Sequence, residues 1–535
     1  MKNKFFWIFV FLPYVSFLLM GIYFRWKWFS DYENLVSHLK PFTTPHQLTK
    51  LKTIYLTSQK FNTLKIIIDF LLSIGVFLGI FLWIKQNPIE KKIVYKIRHY
   101  YELLLKTKEW VNYLPSIEKS IFFLVIIGFF VMRFFLAMIY PLTYDEMYIW
   151  EEFVSKGILV SISYYPIHGN HIFQTLLVKF FSFLEPVWAL RLPSILASSL
   201  LDFFIFIYVY SKSNDFKKSI LSVILFGLLY VNWLHSFLGR GYSIGLLFSF
   251  LILIIYEKNI TKKFFWELVI LQTLFLYTLP SAIFFLLPFW ILEIKNGFNI
   301  LKNLIFTFFF TTLLYAPVLF FLHSHQLLNS AYYQENNFYS KLYFFNQLWQ
   351  FPEFWNLPIA VGILIYVIFS IGLLIKKSYL GNFFLIYLNL SAAIGLLSSF
   401  PAKGFMPLSF LILYFIVYST WTNQKAIGLI FPLITGFLLF SNIKEFEKIF
   451  KKHFQAHQFA KIIHSKFKQE LHLSVVLSPY DDSDLYFLAL KHEYHKNRNK
   501  IHVDKESKLV LATIFTKING NVVHKDENAQ LVTTK

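Results

Sequence analysis

Apolar residues along this chain gather into long runs with short polar breaks between them. A run of about 17 to 25 apolar residues crosses a bilayer as a helix, and a shorter run does so when paired across a tight turn or buried in a bundle. Thirteen runs qualify: near 5–24, 64–84, 121–140, 192–210, 219–237, 243–256, 264–279, 281–294, 303–321, 355–375, 383–399, 405–420 and 426–443. After residue 443 the pattern becomes polar, Lys-rich and mixed. A helical stretch around Glu445 to Gln469 leads into a strand at Leu473 to Leu477. Asp481, Asp482 and Ser483 are helix-start signals before Leu485 to Tyr494. Strands follow at Ile501 to Val503 and Leu509 to Phe515, with Asn519 and Gly520 as a hairpin turn. The predicted fold is an all-α polytopic membrane protein of about 13 transmembrane helices with a small C-terminal extracytoplasmic α/β domain. Its expected parts are an N-terminal extension over 1–118, a transmembrane domain over 119–443 and the small domain over 444–535.

Composition supports a lipid environment. The chain of 535 residues is 56% hydrophobic and only 15% charged, where a soluble chain carries about a quarter charged residues. Its net charge of +21 resembles a nucleic-acid footprint, but such a footprint needs a water-exposed basic face, so nucleic acid is set aside as a partner. Lys and Arg instead accumulate in cytoplasmic loops. With the N-terminus inside, the cytoplasmic segments hold 21 Lys and Arg, against 12 in the outside segments before residue 444. This predicts a multi-pass protein of the plasma or inner membrane, with loops 141–191 and 322–354 and the C-terminal tail outside the cytoplasm. Lys2 and Lys4 before the first run read as a signal anchor. The absence of Cys excludes disulfides, thiolate metal sites and Cys nucleophiles.

Candidate chemistry concentrates between Pro141 and Ser199. Asp145 and Glu146 fall just outside the third run, and two adjacent carboxylates raise one another's proton affinity, which suits a general base. His168, Asn170 and His171 follow. The two histidines, with Asp145 or Glu146, have the composition of a divalent metal site; hydrogen bonding to a substrate is the other reading. Tyr148, Trp150, Tyr164 and Tyr165 suit sugar stacking or an interfacial aromatic belt. Arg191 opens an Arg-Leu-Pro-Ser entry to the next run, and Arg240 stands in Gly-Arg-Gly-Tyr between two short runs, where a charge is costly unless used. Tyr242 closes that motif, and Lys403 lies in the Pro401 to Pro407 segment. Arg133, inside the third run, is placed to pair with Asp202 or a backbone carbonyl. His323, His325, Tyr332 and Tyr333 in loop 322–354 are candidates to cover the site.

These motifs, in this order, resemble the GT-C class of polytopic glycosyltransferases, the group that includes protein O-mannosyltransferases and the aminoarabinose transferase of lipid A. The likeness covers roughly 119–443 and lies in the Asp145-Glu146 pair opening the first large external loop, the His168-Asn170-His171 element and the Arg191 to Ser194 entry. Two departures stand out: two extra helices precede the usual first one, and His-Gly-Asn-His replaces a His-Pro-Pro run. The resemblance implies transfer of a sugar from a polyprenyl-phosphate donor to an extracytoplasmic acceptor, which is protein, glycolipid or envelope glycan. It implies Asp145 as base, Glu146 holding the acceptor or tuning its neighbour, and an inverting step. Arg240, with Arg191, Lys403 and Tyr242 behind it, is the expected site for the donor phosphate. Tyr148, His168, Asn170 and His171 are the expected substrate contacts. The rival reading is a transporter or flippase for a lipid or glycan precursor, although no repeat symmetry is visible.

Overall fold

A computed structural model describes residues 11–40, 57–84, 114–163, 170–258, 263–294, 298–320, 358–375, 378–397, 402–418, 424–468, 470–476, 483–497, 500–503, 509–513, 520–525 and 529–534, with single positions 52, 261, 345 and 507. By its internal contacts the chain divides into Met1–Ile121 and Phe122–Lys535. In the first unit, α1 (Leu12–Trp28), α2 (Tyr32–Leu39) and α3 (Ser58–Ile84) are described. Arg25 clasps Asp69 bidentately at 2.7 and 2.8 Å and ties α1 to α3. Helices α1 and α3 are themselves mostly apolar, and many of their large apolar side chains remain exposed, as lipid-facing helices require.

The second unit begins on α4 (Ser116–Ile139), followed by the short α5 (Tyr144–Ile149), a π-helical turn at Trp150–Val154, α6 (Ile158–Ser163) and α7 (Ile172–Phe180). Then come α8 (Pro186–Ser213), α9 (Phe216–Leu228), α10 (Tyr230–His235), α11 (Tyr242–Glu257), α12 (Phe265–Thr278), α13 (Ala282–Leu292) and α14 (Phe298–Phe320). The series closes with α15 (Ile359–Ile375), α16 (Tyr379–Leu397), a 3-10 stretch at Ala402–Ser409, α17 (Phe410–Tyr418) and α18 (Gln424–Lys466). Each predicted run overlaps a helix. Among the described residues, five helices are long and apolar enough to cross a membrane: Ser58–Phe81, Ser116–Ile139, Pro186–Ser213, Asn299–Val318 and Tyr379–Leu396. The chain is thus a mainly helical membrane protein, and five further apolar helices are shorter than a full span.

Two helix boundaries differ from the hydrophobic pattern. The run expected at 219–237 is broken at Leu229, whose ψ of 127° is extended; Asn232 Nδ2 donates to the Phe226 carbonyl at 3.1 Å and occupies one of the carbonyls that the break exposes. Conversely, the last run and the helical stretch after it are one helix of 43 residues, α18, because no Gly or Pro follows Gly436 to interrupt it.

The C-terminal strands form a five-stranded mixed sheet of order β2-β1-β3-β5-β4, from β1 (Glu470–Val476), β2 (Lys500–Val503), β3 (Leu509–Thr513), β4 (Gly520–Lys525) and β5 (Ala529–Thr534). Helix α19 (Ser483–Lys496) supplies the crossover between the parallel pair β1 and β2. Of the hairpin turn expected at Asn519 and Gly520, Asn519 lies outside the described residues and Gly520 is the first residue of β4, paired with Thr534; β5 lies between β3 and β4, antiparallel to both. Leu471, Leu473, Leu485, Tyr486, Ala489, Leu490 and Leu511 are buried as the core of this layer. Helices α18 and α19 pack on each other, and α19 also packs on α5.

Candidate active site

Helix α4 ends at Ile139, and four residues later Thr143 caps the start of α5 with a capping box: its hydroxyl accepts from the Glu146 N–H, and the Glu146 carboxylate accepts from the Thr143 N–H at 2.9 Å. This local bond turns Glu146 inward and leaves Asp145, one residue earlier, on the solvent side. Glu146 is wholly buried. Its Oε1 accepts from Arg191 Nε at 2.7 Å and from the Gly239 N–H at 2.8 Å; its Oε2 accepts from Arg191 Nη2 at 2.8 Å and from the Thr143 hydroxyl at 3.0 Å. Burial opposes its charge, but the Arg191 guanidinium and the Thr143 and Gly239 amides outweigh it and hold the carboxyl below its usual range.

Arg191 is fully buried on α8 and commits all five of its N–H donors. Besides the two to Glu146, it donates to the carbonyls of Ala137 at 2.6 Å, Tyr140 at 2.7 Å and Pro141 at 2.9 Å. It therefore caps the end of α4 and fixes the start of α5 in one gesture. For Arg191 as a donor-phosphate contact, and for Glu146 as acceptor contact or metal ligand, the geometry offers no outward-facing group: every donor of the one and both oxygens of the other are occupied.

Asp145 and Arg240 stand beside this lock. Arg240 Nη1 donates to Asp145 Oδ2, with the arginine side chain 8% exposed and the aspartate 38% exposed. Gly239 and Gly241 flank Arg240 because the backbone runs against its neighbours there. A Cβ at Gly239 would lie 2.8 to 3.0 Å from the Leu190 Cβ, carbonyl oxygen and carbonyl carbon, and one at Gly241 would lie 2.9 Å from His171 Cβ. The Arg240 guanidinium lies 5.4 Å from the Tyr242 ring centroid, and Tyr242 meets the His171 ring edge-on at 5.0 Å. His171 Nδ1–H donates to the Thr278 carbonyl at 3.1 Å. Asp145, Arg240, Tyr242 and His171 are thus brought together in one file of contacts. Below Tyr242 is a small, chiefly apolar cavity lined also by Leu246, Phe275, Phe285 and Met406.

The remaining candidates are elsewhere. Asn170 is buried and turned inward, donating to the Ser161 carbonyl at 3.1 Å and accepting from the Thr175 hydroxyl at 2.8 Å. Tyr148 stacks on Tyr144 one helical turn away, with ring centroids 6.2 Å apart, and meets Phe153 edge-on. Lys403 lies in the 3-10 stretch, whose Met406 and Pro407 reach the Tyr242 cavity. His168, Tyr164, Tyr165 and, apart from residue 345, loop 322–354 lie outside the described residues. Among the described residues no three His, Asp or Glu side chains group as metal ligands do. Arg133 pairs with Asp202 at 2.6 Å between α4 and α8, both side chains 2% exposed.

Sequence reasoning missed a second charged group. In the π-turn that prolongs α5, Glu151 contacts His492 and His495, and Glu152 contacts Lys491, all from α19. Thr143, three residues before Glu146, is the local signal for the capping box; nothing local signals contacts more than 330 residues away. Compared against protein families, curated proteins and solved structures, the chain matches none.

Proposed function

We propose that this protein is an integral membrane glycosyltransferase that moves a sugar from a polyprenyl-phosphate donor to an acceptor outside the cytoplasm. The observation that carries the reading is the half-exposed Asp145 carboxylate beside the buried Arg240 guanidinium at the end of a membrane-length helix. The acceptor hydroxyl oxygen forms its bond to the anomeric carbon as the carbon–oxygen bond to phosphate breaks. The hydroxyl proton passes to Asp145, and the electron pair leaves on the polyprenyl phosphate. The growing phosphate charge falls to Arg240, whose fork of donors suits a carboxylate and a phosphate together. Glu146 and Arg191 hold this pair in place and take no part in bond making. The excess of Lys and Arg in alternate loops supports a multi-pass arrangement in the cell membrane, with the N-terminus cytoplasmic and the Asp145 loop and C-terminal domain outside.

The test is reconstitution in liposomes with polyprenyl-phosphate sugars, following loss of the lipid-linked sugar in wild type, Asp145→Asn and Arg240→Ala. Consumption by wild type that collapses in both variants supports the reading, and a rate unchanged by Asp145→Asn removes the proposed base. If no donor is consumed while a lipid or glycan precursor crosses the bilayer, the protein is a transporter. The buried Arg133–Asp202 pair within the membrane helices is the feature that reading would draw on.

A further inference from the structure

We infer that His235 is a positioning residue for Arg240: with His171 it braces the Tyr242 ring, and that ring backs the guanidinium that meets Asp145. His235 ends α10, the short helix that begins at the Leu229 break. Its imidazole lies 4.4 Å from the Tyr242 ring, centroid to centroid, with the planes tilted by 41°. His171, at the start of α7, meets the same ring at 5.0 Å and 65°. The Arg240 guanidinium is a third group on it, at 5.4 Å. All four side chains are buried, and aromatic rings at these separations attract one another beyond the area they bury.

The bracing completes a turn in which each of five consecutive residues is tied to a neighbouring element. The Gly239 N–H donates to Glu146, and the Arg240 carbonyl accepts from the Ser194 hydroxyl of α8 at 3.1 Å. Gly241 has no room for a Cβ, which would lie 2.8 Å from Thr278 Cγ2 and 2.9 Å from His171 Cβ. Tyr242 has the two imidazoles, and the Ser243 hydroxyl donates to the His235 carbonyl at 2.7 Å. These ties fix the backbone of Arg240 and leave its long side chain to be fixed separately. Contact with a ring holds a guanidinium without using any of its N–H donors, so the ring does not compete with the oxyanions that the fork binds. His235 therefore acts through the Tyr242 ring and not through a proton. That the fork receives a donor phosphate rests on the glycosyltransferase reading; the bracing of Arg240 does not.

Two measurements on the full chain in lipid nanodiscs test the bracing. Hydrogen exchange of the amides over 239–243 needs no reaction: His235→Ala is expected to speed it about tenfold, and His235→Phe, which keeps a ring, to return it close to wild type. Consumption of a polyprenyl-phosphate sugar is expected to fall about tenfold in His235→Ala and to recover in His235→Phe with the pH profile of wild type, and His235→Ala added to Tyr242→Leu should cause no further fall. Exchange unmoved by His235→Ala, or a His235→Phe protein as impaired as His235→Ala, overturns the bracing. A full additional loss on top of Tyr242→Leu overturns the route through the ring. If wild type consumes no donor, the glycosyltransferase reading fails and exchange alone decides the bracing. If His235→Ala does not fold, His235→Leu, which fills the space without an aromatic face, must speed exchange in the same way, and unmoved exchange there is equally fatal.

Discussion

Asp145 and Glu146 are neighbours, and each faces an arginine, yet the pair formed by Glu146 with Arg191 is sealed from solvent while Asp145 with Arg240 stands 38% exposed on its acid side. The sealed pair holds three pieces of chain together: the end of α4, the start of α5 and the Gly239 turn. The open pair is held by that lock and has solvent access. Adjacent residues of the same chemistry thus divide into a fastener and a reactive group, and the division is made by burial and by the number of donors aimed at each carboxylate.

The strongest way to break this contrast is to cut the sealed pair. Arg191→Ala strands a buried Glu146 carboxylate, and Glu146→Ala strands a buried guanidinium. Either should cost about 3 to 5 kcal/mol of stability, because the remaining charge has no water to return to. Thermal unfolding in detergent should show the loss, and a melting temperature equal to wild type would mean that the pair is not a fastener. Asp145→Asn should act in the opposite sense. Asp145 is itself 38% exposed and Asn keeps an oxygen for Arg240, so stability should fall by less than in Arg191→Ala. Sugar transfer should drop about 10² to 10⁴-fold if the carboxylate is the base. Equal losses of stability in Asp145→Asn and Arg191→Ala would erase the distinction.

Much of the helical arrangement was legible because a bilayer imposes long apolar runs, and each run overlaps a helix. The break at Leu229 was not, since Leu229 itself stands in the apolar stretch Leu228 to Val231 and its backbone angles and Asn232 mark the end. At the site, the residue types were legible and their division of labour was not. Glu146 is buried by Arg191, 45 residues on, and by the Gly239 amide, 93 residues on, so no local pattern separates it from Asp145. Thr143 hinted at the difference, because a Thr three residues before a Glu satisfies a capping box and draws that Glu toward the backbone. His492 and His495 stand three apart near the end of a helix, and their partner Glu151 is more than 340 residues earlier, so nothing local links them.

The fastener can also be probed without touching a charge. Gly239 presents its N–H to Glu146 while its Cα presses on Leu190, where an added methyl would stand 2.9 Å from a carbonyl oxygen that the helix cannot move. Gly239→Ala should therefore push the turn off Glu146 and cost about 1 to 3 kcal/mol, with donor turnover falling in parallel as Arg240 shifts. Gly128 is the counterpart on the exposed face of α4: an added methyl there meets nothing within 4 Å. Helical propensity alone then decides the sign, and Gly128→Ala should raise stability by about 0.5 to 1 kcal/mol and leave turnover unchanged. Melting curves of the two alanine variants measured side by side separate these outcomes. A Gly239→Ala protein as stable as Gly128→Ala would show that the turn carrying Arg240 is not pinned to the sealed pair, and Asp145 would then owe its position to Thr143 and α5 alone.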